Sequence, residues 1–323
     1  MIQSPVLCGG EILCDFFAAK PDSTLAMAPS FEKRAGGSPF NTAVGVKRLG
    51  HPTSFLTKIG TDGFGSFLYE TVKQEGLLLD TTFREPGAKT TLAFVAVGCD
   101  GKPDFQFYRD HAADTLLRTE ETTFINPSNY SFYHFGSVAL LHSPSREAYL
   151  DLFHRFQQAR IPTSFDPNIR PSLIRDRKEY MELIGHIISG VDVVKLSDED
   201  LEEITGEKNV EKAIKMLPLR DQTWIFVTMG AKGAIVQTGT ERYTSQGFAT
   251  KVTDTTGCGD AFMAAIIHQY LQSPFRSDQS STWKKNLLRF ANAAAAIVAS
   301  RQGASRAMPT LDQVEAFLSQ AES

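Results

Sequence analysis

Apolar residues in this chain fall into short dense runs separated by segments in which they recur at helical spacing. The runs Val6–Glu11, Thr53–Ile59, Ser131–Phe135, Thr163–Asp166, Val191–Leu196 and Trp224–Met229 read as strands. The segments Phe64–Glu75, Ser145–Arg160, Arg177–Ile188 and Asn209–Leu217 read as amphipathic helices. In the second of these, Tyr149, Leu152, Phe153 and Phe156 form an apolar stripe, and Arg146, Asp151, Arg155 and Gln158 take the opposite side. Strand and helix alternate through most of the chain. That order predicts an α/β protein: a doubly wound, mostly parallel sheet flanked by helices.

Two stretches break the rhythm. Leu13–Arg34 follows the first strand without a helical period, and Thr90–Arg109 reads as two strands joined at the turn dipeptide Asp100-Gly101. Antiparallel pieces inserted in a parallel chain predict a second, small β-sheet. We read it as a lid formed by about residues 13–35 and 89–110, within a single domain spanning 1–323, because the chain returns to the core after each insertion.

Composition narrows the function classes. Of 323 residues 42% are hydrophobic, so the chain can bury a core, and a net charge of −4 argues against a nucleic-acid partner. No run of about 18 apolar residues predicts a membrane helix. The N-terminus lacks a basic leader, so a cytoplasmic location is expected, with the four cysteines Cys8, Cys14, Cys99 and Cys258 as free thiols. The seven histidines show no metal-ligand spacing, His111 and His134 reading as turn and strand residues, and no GxxxxGK[ST], HExxH or GxSxG motif occurs.

Chemistry concentrates in a few places. Val252–Ile267 runs from small residues and two glycines directly into an apolar helix. Backbone N–H groups of Gly257, Cys258 and Gly259 would converge there at the positive end of the helix dipole, forming an anion hole. Asp260 lies in the first turn. It is either a general base for an attacking hydroxyl or simply a favourable helix-terminal carboxylate. Arg34–Gly50 carries Gly36 and Gly37 ahead of Asn41, a sugar-contacting turn or a plain helix start. Asp15 follows the first strand, where α/β ligands bind. Phe105, Phe107 and Arg109 alternate onto one face of the lid hairpin, and Asp166-Pro-Asn168-Ile-Arg170 closes another strand with polar groups. The small-residue helix 290–300 suits either tight packing or an adenine shelf.

Together these residues resemble the PfkB, or ribokinase-like, family of carbohydrate kinases. AGGSPFN at 35–41 is similar to its N-terminal signature and DTTGCGDAF at 254–262 to its C-terminal one; KLSDEDLEEITG (195–206) and VTMGAKGA (227–234) fall between them in order. The resemblance implies a doubly wound α/β fold with a β lid over a sugar. It makes Asp260 the base and the Gly257–Gly259 backbone the anion hole. Asp15, Gly36, Gly37 and Asn41 become sugar contacts. Lys195, Thr228, Gly230, Gly233 and Asn292 go to the ATP site. Asp200 would organise Mg²⁺ through water, and Asp254 and Thr256, closed by the loop Arg301–Gly303, would seat a monovalent cation such as K⁺. Ala307 stands where several relatives carry Ser beside that loop, which leaves potassium dependence open. Cys258 replaces the usual Ala and puts a thiol at a helix N-terminus, a setting that can make it reactive.

FYRDHAAD (107–114), HFGSVAL (134–140), DPNIRP (166–171) and KLSDE (195–199) look most like fructokinases. Phe107, Arg109, Asn168 and Arg170 would then line the sugar. In a 2-keto-3-deoxygluconate kinase the same arginines would pair a substrate carboxylate. A non-catalytic sugar or nucleotide sensor on this fold is the reading from a different class. The resemblance also implies a homodimer through the lid, for which the apolar strand Leu92–Val97 is the candidate edge.

Overall fold

The computed structural model describes residues 3–20, 23–97, 103–276 and 278–321. Its thirteen strands are β1 (Val6–Gly9), β2 (Leu13–Ala18), β3 (Phe31–Gly36), β4 (Thr53–Gly60), β5 (Thr82–Glu85), β6 (Leu92–Val97), β7 (Pro103–Tyr108), β8 (Phe132–Gly136), β9 (Thr163–Asp166), β10 (Val193–Ser197), β11 (Trp224–Thr228), β12 (Ala234–Thr238) and β13 (Glu241–Ser245). The helices are α1 (Ser38–Arg48), α2 (Gly63–Gln74), α3 (Thr119–Thr122), α4 (Ser145–Gln158), α5 (Arg177–Ile188), α6 (Asp198–Thr205), α7 (Val210–Met216), α8 (Cys258–Gln272), α9 (Ser281–Ala299), α10 (Ala304–Ala307) and α11 (Leu311–Gln320).

Nine strands form the main sheet in the order β13-β12-β11-β10-β9-β8-β1-β4-β5. The pairings from β10–β11 through β4–β5 are parallel, whereas β11–β12 and β12–β13 are antiparallel, so β12 alone runs against the other strands. A sheet covered on both faces needs strands apolar at successive positions. Leu7, Leu56, Tyr133, Val194 and Ile225 pack into the core on the α4, α5, α6 and α7 side. Val6, Cys8, Phe55, Phe132, Val193 and Phe226 pack with α1, α8 and α9 on the other. Each fully buried Leu or Phe contributes about 1.5–3 kcal/mol. Helix starts follow their caps. Asp62 accepts the Gly65 N–H at 2.6 Å and starts α2, and Asp176 accepts from Glu179 to start α5. Asn209 accepts from Lys212. It therefore caps α7 instead of opening it.

The segment without helical period supplies β2 and β3. With β6 and β7 they form a separate four-stranded sheet, β3-β2-β6-β7. This lid is mixed, not purely antiparallel, because β2 and β6 run parallel. The expected turn at Asp100-Gly101, and Cys99, lie outside the described residues. The expectation that Leu92–Val97 offers a free edge fails. β6 pairs with β2 on one side and β7 on the other, so its backbone groups are already used and the lid edges are β3 and β7. Among the described residues, no helix is long and apolar enough to cross a membrane.

Candidate active site

The carboxyl ends of the parallel strands and the lid enclose one cluster of polar side chains. Its centre is Asp260, buried in the first turn of α8. Ser38 Oγ donates to its Oδ1 at 2.7 Å and Asn41 Nδ2 to its Oδ2 at 2.8 Å. Burial raises the Asp260 pKa; those two hydrogen bonds and the charges of Lys195 and Arg170 oppose the rise. Asp260 is thus oriented and more basic than an exposed carboxylate. Sequence reasoning missed Ser38, although it stands inside the glycine motif, since a serine ahead of a proline reads as ordinary helix entry.

The turn before α8 is set by Gly257, whose φ of 86° favours glycine. The N–H groups of Gly257, Gly259 and Asp260 meet no acceptor among the described residues, whereas that of Cys258 turns onto the Thr255 carbonyl at 3.2 Å. An anion at this turn would therefore meet the glycine N–H groups, with Cys258 N–H directed into the turn. Cys258 is not an activated thiol. Burial, then Asp260 and Asp254, pushes its pKa up to about 12, which outweighs the helix terminus.

The lid faces this centre with a row set by strand register. Arg34 on β3 lies opposite Asp15 on β2, Asp15 opposite Ala93 on β6, and Ala93 opposite Phe107 on β7. Residues in register project from the same sheet face. Phe105 and Phe107 also share a face, with stacked rings 6.2 Å apart. No donor of the described chain hydrogen-bonds Asp15, and burial pushes its pKa up to about 7 against the pull of Arg170 and Arg34. A Cβ on Gly36 would come within 1.8 Å of Asp15 Oδ2, so glycine leaves that carboxylate in place. Gly37, at φ 113°, brings its backbone against the Glu11 carbonyl.

The two candidate sugar arginines differ. Arg109 is buried with Asp114, Nη2 to Oδ2 being 2.8 Å, and Thr91 Oγ1 donates to the other Asp114 oxygen. The sequence reading missed Asp114. Its partnership spends most of the Arg109 charge, while Nη1 stays buried without an acceptor. Arg170 is half-buried. Its Nη1 donates to Asn168 Oδ1 at 2.8 Å and to the carbonyls of Asn168 and Ile169. Asn168 holds φ 41°, a strained turn at the end of β9.

Lys195 on β10 is buried against Asp166 at 2.9 Å. Burial works against its ammonium, but Asp166 and Asp200 outweigh that and raise its pKa. A Cβ on Gly259 would come within 2.8 Å of Lys195 Nζ, so the ammonium lies against the first turn of α8. Asp200 accepts from the N–H groups of Ile169 and Ser197 at 2.8 and 3.0 Å, which ties the 166–170 turn to the α6 cap. Thr228 ends β11. Gly230 and Gly233, at φ 56° and 93°, shape the turn into β12. Asn292 on α9 holds the carbonyls of Ser245 and Gln246 beside that turn. Asp254 accepts from Thr256 N–H at 2.9 Å and from Gly303 N–H at 3.2 Å, joining the two loops expected around a cation. Arg301 points away, toward the Ala307 carbonyl and Gln313.

Comparisons with known proteins agree with this geometry. Residues 3–311 match the model of the pfkB family of carbohydrate kinases. The chain is 34% identical to probable fructokinase-4 of Arabidopsis thaliana over 98% of this chain and 97% of that protein. It is 35% identical to fructokinase-1 of Oryza sativa subsp. japonica, covering 94% of each. A fructokinase of Xylella fastidiosa with bound ATP superposes with a TM-score of 0.87 at 31% identity, covering 99% of this chain and 100% of that one. A Vibrio cholerae fructokinase double mutant with bound fructose, ADP and potassium ion gives 0.82 at 26% identity, covering 98% of each. The fold is accordingly α/β and ribokinase-like, a mostly parallel sheet with a small lid. With both signature segments meeting at one buried carboxylate, and a family match across nearly the whole length, the chain belongs to the pfkB family of carbohydrate kinases.

Proposed function

We propose that this kinase transfers the γ-phosphoryl group of ATP to a primary hydroxyl of a neutral ketose, converting D-fructose to fructose 6-phosphate. The observation that carries the reading is Asp15. A partly buried carboxylate with no donor from its own chain has acceptor capacity to offer a ligand, and an adjacent pair of sugar hydroxyls would fill it. A sugar acid fits less well. Its carboxylate would meet Asp15 and Asp260 in one cleft, with Arg109 already paired to Asp114. Arg109 Nη1, Arg170 and Asn168 remain to orient neutral oxygens, and Phe107 covers an apolar sugar face. The fructokinase relatives support the same sugar.

The chain's residues divide the transfer among them. Asp260 Oδ takes the proton as the sugar oxygen attacks the γ-phosphorus. The new O–P bond forms as the bond to the ADP oxygen breaks. The N–H groups of Gly257 and Gly259, with Lys195 beneath, face the charge spread over the transferring oxygens. Thr228, Gly230, Gly233 and Asn292 frame the nucleotide. No group of three or more His, Cys, Asp or Glu among the described residues forms a metal cage. Asp200 would help hold Mg²⁺ through water, and the bound ion would screen the phosphate charge.

The test is ADP release with Mg-ATP over fructose, 2-keto-3-deoxygluconate, ribose, glucose and adenosine. Fructose should give the highest kcat/KM. Preference for the keto-acid would move the arginines to carboxylate binding, and binding of sugar without turnover would make the chain a sensor.

A further inference from the structure

Resting on the reading as a sugar kinase, this inference concerns the monovalent cation, and the residues here do not fit a free one well. Asp254 is the only carboxylate between the loops Asp254–Thr256 and Arg301–Gly303 among the described residues. Its Oδ1 is taken by the Thr256 N–H and its Oδ2 by the Gly303 N–H. A fixed cation already stands at that second oxygen: Arg34 Nη1, 3.5 Å away. Arg34 is 7% exposed, and its guanidinium lies over the Phe17 ring at 4.8 Å and is anchored by Glu32 at 2.8 Å. The aromatic face and the anchoring carboxylate hold its charge in place without a soluble ion. A second positive ion at Asp254 would sit beside that guanidinium and be repelled by it. Position 307 is Ala and gives no side-chain oxygen to such an ion.

We propose that Arg34 supplies, from within the chain, the positive charge that a monovalent cation supplies between these loops, so that turnover does not require K⁺. The charge matters because Asp254 opens the turn leading to the anion hole. An uncompensated carboxylate there opposes the arrival of a phosphoryl anion. Arg34 also belongs to the lid, next to Asp15. Its contact with Asp254 therefore joins the sugar-covering sheet to the anion-hole loop, and the compensating charge is in place when the lid lies over the site.

The experiment compares wild type, Arg34→Gln and Arg34→Lys in K⁺ and in tetramethylammonium at matched ionic strength, reading both kcat and the melting midpoint without substrates. Wild type and Arg34→Lys should show no preference between the two salts in either readout. Arg34→Gln should lose about tenfold or more in kcat without K⁺, the scale of one buried charge-assisted contact, and regain it with K⁺. Its melting midpoint should rise selectively with K⁺. A wild-type enzyme as K⁺-dependent as the variant would overturn the proposal, and so would a variant that K⁺ neither rescues nor stabilises. The melting arm needs no sugar, so a wrong acceptor assignment leaves it readable.

Discussion

Replacing Asp260 by Asn isolates the proton-accepting role from the rest of the site. The substitution is nearly isosteric, and the surroundings can absorb it. Ser38 Oγ can rotate to accept or donate. The Asn41 amide can turn its Oδ1, which has no partner in the buried site, toward the new amide nitrogen. Fold and sugar binding should therefore survive, and the loss should be confined to general-base catalysis, about 10²–10⁴-fold in kcat or about 3–5 kcal/mol of barrier. The assay is coupled ADP release at saturating sugar, with KM measured alongside. The wild-type pH profile adds a second check. Burial lifts the Asp260 pKa, the active form is the anion, and kcat should fall on the acid side at a higher pH than for an exposed aspartate. Arg170→Met removes a charge that favours the anion and should move that limb to still higher pH. An Asn variant within about tenfold of wild-type kcat, well short of a general base's contribution, would refute the assignment.

Two further outcomes follow from the same geometry. Asp15→Asn should raise the sugar KM by about 10–100-fold, the value of charge-assisted hydrogen bonds to hydroxyls, with a smaller change in kcat. In the wild type, sugar affinity should weaken as pH falls through about 7, where Asp15 becomes protonated, and titration calorimetry across that range checks the sign. Cys258 should resist iodoacetamide at neutral pH, because its thiol is pushed up to about 12; rapid modification there, located by mass spectrometry of peptides, would contradict the burial argument.

Much of this protein follows from local order along the chain. The apolar runs and stripes set six parallel strands and the helices between them, because burial on both sheet faces demands such patterns at short range. The glycines before Asp260 announce a tight turn entering a helix, a place where backbone N–H groups converge. Tertiary structure decided what each polar side chain does there. Ser38 meets Asp260 across 222 residues of sequence, and Asp114 takes the charge of Arg109. Lys195 comes beneath Gly259, and Arg34 comes beside Asp254. Strand β6 is central in the lid instead of an edge because β2, far earlier in the chain, pairs with it in parallel. Hydrophobic spacing is a property of neighbours and survives in one dimension. Charge pairing and strand order depend on which distant segments the fold brings within a few ångströms, and no local pattern encodes that.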